Sequence, residues 1–263
     1  YYFFVSYLLN IDTCFTHKTS MKIIKLDAID STNSFLKDMA AKVKVGDFTV
    51  VIAKTQTAGR GQMNANWIVD AGKSLTFSVF CELSNLSIAD FKYLNYCVSL
   101  SVYEAVKDLK LPRLAIKWPN DIMSENKKIA GILIENTFNL SEISSSVIGI
   151  GINVNQNSFS IDLPNASSIK MIIGREVDLE LLFDKALQCL KQNIALLNKK
   201  EYAFLEEEYL KVLYKKNVPS MFKTAQNILF MGKIVGVSDT GNLQIELENE
   251  TIKEFGIKEV SFA

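Results

Sequence analysis

The order of secondary-structure signals predicts an α+β fold: a mixed, mainly antiparallel sheet flanked by helices, followed by a small β-barrel. Three observations carry this. Strand and helix patterns are interspersed up to residue 109. Four strand-like pieces then follow one another with no helix between them, which a doubly wound parallel sheet would not allow. Residues 217–263 break into short strands separated by turns, as small barrels do. With 263 residues, of which 48% are hydrophobic, the chain is long enough to close a core without disulfide or metal.

Taken in order, Met21–Ile29 is β-like, and Asp30 or Ser31 caps a helix through about Lys44 with Phe35, Leu36, Met39 and Ala40 as its apolar stripe. Phe48–Ala53 reads as a buried strand. Thr57–Lys73 has three glycines (Gly59, Gly61, Gly72) and little apolar periodicity, and reads as a long loop of the kind that usually carries function. Ser74–Cys81 alternates as a strand, and Ile88–Leu109 has helical periodicity. The strands that follow are Leu114–Trp118, Asp121–Ser124, Ile129–Glu135 and Ser146–Val154. Helical patterns return at Ser167–Ile173, Leu179–Asn198 and Tyr202–Tyr214. The tail contributes Ser220–Thr224, Asn227–Val237, Leu243–Leu247 and Thr251–Phe255 within an expected five-stranded barrel. Asp239-Thr240-Gly241-Asn242 and Glu248-Asn249-Glu250 serve as its hairpin turns.

Composition narrows the function. The 29 basic residues balance 29 acidic ones, so the footprint of a nucleic-acid binder is missing. No run of 18 apolar residues marks a membrane span. Cys14, Cys81, Cys97 and Cys189 stand far apart and read as buried thiols of a reducing compartment, which predicts a cytoplasmic protein. The single histidine, His17, precedes Met21, so neither a histidine-based triad nor a multi-histidine metal site is expected. Residues 1–20 read as an upstream extension, residues 21–216 as the main domain and 217–263 as the barrel.

Five runs stand out for chemistry. Ser31-Thr32-Asn33 opens a helix; taken alone, it is an N-cap. Gln56-Thr57-Ala58-Gly59-Arg60-Gly61-Gln62 leads from a buried strand into the long loop, where flanking glycines let backbone approach a polar ligand. Trp67, an indole in an otherwise polar loop, calls for a flat surface to cover. In Lys117-Trp118-Pro119-Asn120-Asp121 a strand ends at a lysine and turns at Asn-Asp, which suits phosphate and Mg²⁺, with Asp121 as metal ligand. Lys128 opens a strand, and a period of two puts it on the face of small Ala130, with room for a ligand beside the ammonium. In Gly149-Ile150-Gly151-Ile152-Asn153 alternation puts both glycines and Asn153 on one face, a bare patch against which a ligand could press. A surface turn, a strand-turn with an exposed ion pair and a twisted strand are the ordinary readings of the Gln56–Gln62, Lys117–Asp121 and Gly149–Asn153 runs, each taken singly.

Together, and in this order, the runs resemble biotin–protein ligases over about residues 22–263. The resemblance implies the class II aminoacyl-tRNA synthetase/biotin ligase-like sheet with a C-terminal Src-homology-3-like barrel. It implies biotin contacts from Ser31, Thr32, Asn33, Gln56, Gly59, Arg60, Gly61, Gln62, Lys128 and Gly131. Nucleotide contacts fall to Trp67, Lys117, Asn120, Asp121, Gly151 and Asn153, and the catalytic cations would be Lys128 and Arg60. The implied chemistry uses ATP with Mg²⁺, has biotin as substrate, and requires no tightly bound cofactor or structural metal. The implied partner is the biotin carboxyl carrier domain of acetyl-CoA carboxylase or a related carboxylase, without nucleic acid or membrane; a homodimer is compatible with it. Bifunctional relatives add an N-terminal helix-turn-helix domain; twenty residues before Met21 are too few for one, which predicts the monofunctional form. Gln62, Met63, Asn64, Ala65 and Asn66 stand where many relatives carry further arginines and a third glycine. The competing readings are a lipoate or octanoate ligase of the same superfamily, a non-catalytic biotin- or nucleotide-binding module, and a DNA-binding regulator. The loop 57–73 is expected to order over bound ligand and shield an anhydride from water.

Overall fold

The computed structural model describes residues 21–263 except Val69; His17, Cys14 and the reading of residues 1–20 lie outside the described residues. The chain divides into two compact units, the first built from residues up to Asn85 with Lys127–Lys185, the second from Leu86–Asn126 with Ala186–Ala263.

In the first unit the strands β1 (Ile23–Ile29), β2 (Thr49–Gln56), β3 (Ser74–Ser87), β6 (Lys127–Asn139) and β7 (Glu142–Asn153) lie in the order β1-β2-β3-β7-β6. β1 and β2 are parallel, whereas β2 with β3 and β6 with β7 are antiparallel. This is the mixed, mainly antiparallel sheet expected. Helix α1 (Thr32–Lys42) begins at Ser31, whose extended backbone and hydroxyl accepting from the Ser34 N–H make the cap. Its stripe does what its spacing requires: Leu36 is fully buried, and Phe35, Met39 and Ala40 pack with Ile24, Leu26, Val51, Ala53 and Val147. On the opposite face Ile148, Ile150 and Ile152 are buried, as is Phe77, whose ring meets Phe183 edge-on at 5.2 Å. Helix α3 (Ile169–Ile173) ends at Gly174, in the left-handed region at φ 72°.

The second unit holds α2 (Phe91–Lys107), the hairpin β4 (Ala115–Lys117) and β5 (Asp121–Ser124), most of α4 (Leu179–Asn198), and α5 (Tyr202–Lys211). A five-stranded antiparallel sheet completes it, from β8 (Pro219–Thr224), β9 (Leu229–Val237), β10 (Leu243–Leu247), β11 (Ile252–Phe255) and β12 (Val260–Phe262), in the order β11-β10-β9-β8-β12. Phe222, Ile234, Leu243, Ile245 and Phe255 form its buried interior. α2 packs on α5 through stacked rings, Tyr96 on Tyr209 and Tyr93 on Tyr202, each pair at 4.1 Å between centroids. Lys92, 5% exposed, is neutralised by Glu206 and Asp239 at 3.1 and 3.0 Å.

Boundaries differ from the sequence reading where pairing overrides local pattern. β2 continues to Gln56, and β6 and β7 reach out to Asn139 and Glu142, because an exposed hairpin arm needs no hydrophobic alternation to hold its ladder. α5 stops at Lys211 instead of Tyr214. Residues 212–214 instead pair with β4, the Ile116 N–H donating to Val212 O and the Tyr214 N–H to Ile116 O.

The buried hydroxyls of Tyr96 and Tyr209 meet no hydrogen-bond partner among the described residues, and burial pushes both phenols up in pKa. Removing an unsatisfied hydroxyl costs nothing in hydrogen bonding. Tyr209→Phe is therefore expected to leave urea stability unchanged or raised, and Tyr209→Ala to lower it by about 3–5 kcal/mol. A Phe variant as unstable as the Ala variant would show that the hydroxyl is bonded.

Candidate functional site

The site lies on the α1-side face of the first unit's sheet, where the core under Leu36 gives way to polar groups around the helix's first turn. Ser31, Thr32 and Asn33 are all buried there. The Gln56 side-chain carbonyl accepts from both the Thr32 N–H (2.8 Å) and the Thr32 hydroxyl (3.0 Å), so it satisfies an otherwise open helix donor. Ser78 Oγ lies 2.7 Å from Thr32 Oγ1 and 2.5 Å from Asn33 Oδ1. The Asn33 amide donates to Leu133 O and to Glu135 Oε2. These groups are neutral hydroxyls and amides held by one another, with the single carboxylate of Glu135 at the rim.

Glycines make the floor. β6 and β7 pair Gly131 with Gly151 and Leu133 with Gly149. A Cβ on Gly149 would stand 2.3 Å from Asn33 Oδ1, and one on Gly151 would stand 2.3 Å from Trp67 Cε2. The bare patch is therefore filled by two of the very side chains singled out in the sequence. The Trp67 indole lies over Gly131 and Gly151, with its Nε1–H buried and unpartnered among the described residues. The Lys128 ammonium stands 5.7 Å from the centre of that ring.

One expectation is corrected here. Ala130 is fully buried and offers no open space, and the end of the Lys128 side chain lies at Gly131: its Cε and Nζ are 3.1 Å from the point where a Gly131 Cβ would be. Ahead of the β7 ladder the Lys128 backbone pairs instead with residues 165–167, its N–H donating to Asn165 O and its carbonyl accepting from the Ser167 N–H. The long side chain then reaches over the missing Gly131 side chain onto the face of Gly149 and Gly151.

The loop after β2 is closed on itself. The Trp67 N–H donates to Gly59 O, the Gly61 N–H to Ala65 O, and Arg60 bridges Asn66, around a tight turn at Gln62–Asn64 with Met63 at φ 52°. Gly59 is obligatory, since a Cβ there would fall 2.3 Å from Trp67 O. Gly61 and Gln62 belong to this turn. Arg60 turns its guanidinium to Glu135, Nη2 to Oε2 at 2.6 Å, and Lys37 takes the other oxygen at 2.6 Å. Burial alone would raise the Glu135 pKa; hydrogen bonds from Lys37 and Asn33 and the charge of Arg60 outweigh it and hold the carboxyl below its ordinary value. The stability this charge contributes is present above the ordinary carboxylate range and is lost as pH falls through the depressed value.

At the far end of the patch Gln156 donates to Ser74 Oγ (2.7 Å) and to Asn153 Oδ1 (3.0 Å), which fixes the Asn153 carboxamide. Gln156 Oε1 and Thr76 Oγ1 are buried without a partner among the described residues. Lys117, Asn120 and Asp121 belong to the second unit, on the β4–β5 hairpin, where Lys117 is paired across from Asp121 and the intervening Trp118–Pro119 peptide is cis. Trp118 donates from its indole to Gly241 O at 3.1 Å. Among the described residues no three histidine, cysteine or acidic groups converge as a metal site. No described helix is long and apolar enough to cross a membrane.

Ser78, Glu135, Thr76 and Gln156 are site residues that the sequence reading missed. A signal for two of them existed: Ser74, Thr76 and Ser78 recur with a period of two inside a hydrophobic strand, a polar row on one face.

Residues 26–153 match the biotin/lipoate A/B protein ligase family. The chain is 29% identical over 246 residues to the bifunctional ligase/repressor BirA of Bacillus subtilis, covering 91% of this chain and 73% of that protein. It is 32% identical over 153 residues to the biotin–[acetyl-CoA-carboxylase] ligase of Mycobacterium tuberculosis, covering 55% and 54% of the two chains. Among solved structures it is similar to the biotin protein ligase of Aquifex aeolicus in complex with biotin and ATP, with a TM-score of 0.75, 27% identity, and 92% and 98% of the two chains covered.

The glycine floor makes opposite demands at its two positions. Gly149→Ala forces a clash on Asn33, which is tied down on three sides, and is expected to cost about 1–3 kcal/mol in urea denaturation. Gly151→Ala meets only a loop side chain; it is expected to keep stability close to wild type while expelling Trp67, seen as a red shift of tryptophan emission. Unshifted emission would place the indole elsewhere.

Proposed function

We propose that this chain, a member of the biotin/lipoate A/B protein ligase family, is an ATP-dependent biotin–protein ligase that forms biotinyl-5′-AMP and passes biotin to a lysine of a carrier protein. One observation carries the reading: a buried cluster of neutral hydroxyls and amides (Ser31, Thr32, Asn33, Ser78), bonded to half-buried Gln56, adjoins a side-chain-free floor with one ammonium, Lys128, at its edge. A ureido ring is neutral, with one acceptor and two donors, and such a cluster matches both without the cost of burying a charge. The valeryl carboxylate and the α-phosphate are anionic, and Lys128 serves them.

The reaction has two steps. A biotin carboxylate oxygen attacks the α-phosphorus of ATP and pyrophosphate leaves. The carrier's lysine amine then attacks the acyl carbon, AMP leaves, and the nitrogen loses its proton. No protein nucleophile is needed, and the first attacking group is already ionised at neutral pH. The barrier is the approach of an anion to a polyanion, which a fixed cation lowers. At ~4 Å and an effective dielectric near 20, one lysine–phosphate contact is worth on the order of 4 kcal/mol before desolvation. Trp67, already over Gly151, supplies a flat cover, and Asn153, oriented by Gln156, an amide for the base. Asn120, Asp121 and Lys117 are assigned to the nucleotide by their motif. Mg²⁺ fits this donor set, because it needs only one or two protein carboxylates and completes its shell with water and phosphate oxygens. Asp121 would hold it, and the ion would supply charge neutralisation. The acceptor is the biotin carboxyl carrier domain of a carboxylase.

Incubation of such a carrier domain with biotin and MgATP is expected to add one biotin by mass spectrometry; an unchanged mass would leave a binding module. Lys128→Ala is expected to fold but to lose about 10²–10³-fold in pyrophosphate release, as when one charge-stabilising donor is removed. Near-normal release would end that assignment. Lipoate lacks the ureido group, so its adenylation is expected to fall by up to ~10⁴-fold against biotin; equal rates would favour a lipoate ligase.

A further inference from the structure

Glu135 is assigned no role by the motifs, yet its carboxylate joins the loop, through Arg60, and α1, through Asn33 and Lys37, to the glycine-bearing strand. We propose that Glu135 is the positioning residue of the site: its carboxylate latches the Arg60 loop to the sheet and, through it, sets Trp67 over the glycine floor. The inference rests on the ligase reading for what the site binds, but the latch itself is independent of it.

The geometry is direct. One oxygen of Glu135 takes Arg60 Nη2 at 2.6 Å and Asn33 Nδ2 at 3.0 Å, and the other takes Lys37 Nζ at 2.6 Å. Arg60 and Asn66 are bridged, and the Trp67 N–H is bonded to Gly59 O, so holding Arg60 holds the neighbour of the indole. The same carboxylate orients Asn33, whose carbonyl faces Ser78 and whose side chain occupies the space above Gly149. Arg60 thus has its charge matched by a carboxylate and serves as an anchor. Glu135 is a strand residue, rigidly placed opposite Val147, whereas Arg60 stands on a loop only a few bonds deep. The fixed partner dictates the position of the mobile one. The Arg60 side chain is 42% exposed, so the contact is a modest ion pair and its loss should loosen the loop without unfolding the protein.

The test uses the whole chain. Trypsin cleavage after Arg60 is followed in ligand-free protein, and biotin affinity and adenylation rate are measured for Glu135→Gln, Arg60→Gln and the double variant. Glu135→Gln is expected to speed cleavage severalfold and weaken biotin binding about 10-fold, with the adenylation rate at saturating biotin within about twofold of wild type. The double variant should bind biotin no worse than either single one, because both remove the same contact. Lys37→Met, which removes the other ion pair, should leave cleavage unchanged. Wild-type cleavage in Glu135→Gln, or affinity losses that add in the double variant, would overturn the latch. Should Glu135→Gln fail to fold, Arg60→Gln reads the same contact from the loop side, and wild-type affinity in it overturns the proposal equally. A wild-type protein that binds no biotin would refute the ligase reading while the cleavage arm still decides the latch.

Discussion

A stretch of sheet surface without side chains governs the first unit. Gly131, Gly149 and Gly151 lie together on β6 and β7, and the space they leave is taken by Asn33 from a helix and Trp67 from a loop, each within 2.3 Å of a position no Cβ could share. Glycine weakens a strand, through entropy and lost packing, by up to about 1 kcal/mol each. The cost is carried by the opposite face, where Ile148, Ile150 and Ile152 are buried almost completely. The same strand is therefore core on one side and bare floor on the other.

Around that floor the polar groups are arranged in order of charge. Hydroxyls and amides sit deepest, at the first turn of α1, and satisfy one another. Charged groups stand at the rim: Lys128 at the start of β6, and Glu135 with Lys37 and Arg60 farther along the same strand. A charge in the middle of the neutral cluster would have to be desolvated without full compensation. At the rim it keeps partial hydration and meets either a partner or a charged reactant. The division suits a substrate that is neutral at one end and anionic at the other.

The second unit shows the same economy with aromatic residues. Stacked tyrosines join α2 to α5, and Lys92 is buried only because Glu206 and Asp239 both reach it. Burial pulls its pKa down, but the hydrogen bonds it donates to those carboxylates prevail and hold it above the ordinary lysine value. The hairpin that carries Lys117, Asn120 and Asp121 is tied by Trp118 to Gly241 of the β9–β10 turn.

Local chemistry made much of this legible in the chain alone. The Ser31 cap, the stripe on α1, the alternation that puts Gly149, Gly151 and Asn153 on one face, and the strand-turn at Pro119 all depend on residues a few positions apart. Folding decided what depends on distant partners. Asn33 and Glu135 are 102 residues apart, and Asn33 and Ser78 are 45 apart. No periodicity announces such pairs, and Ser78 and Glu135 accordingly escaped notice. The side on which Lys128 emerges was also a tertiary matter. Alternation assigns a Cβ to a face, but a four-carbon side chain beside a glycine can cross it, and here it does.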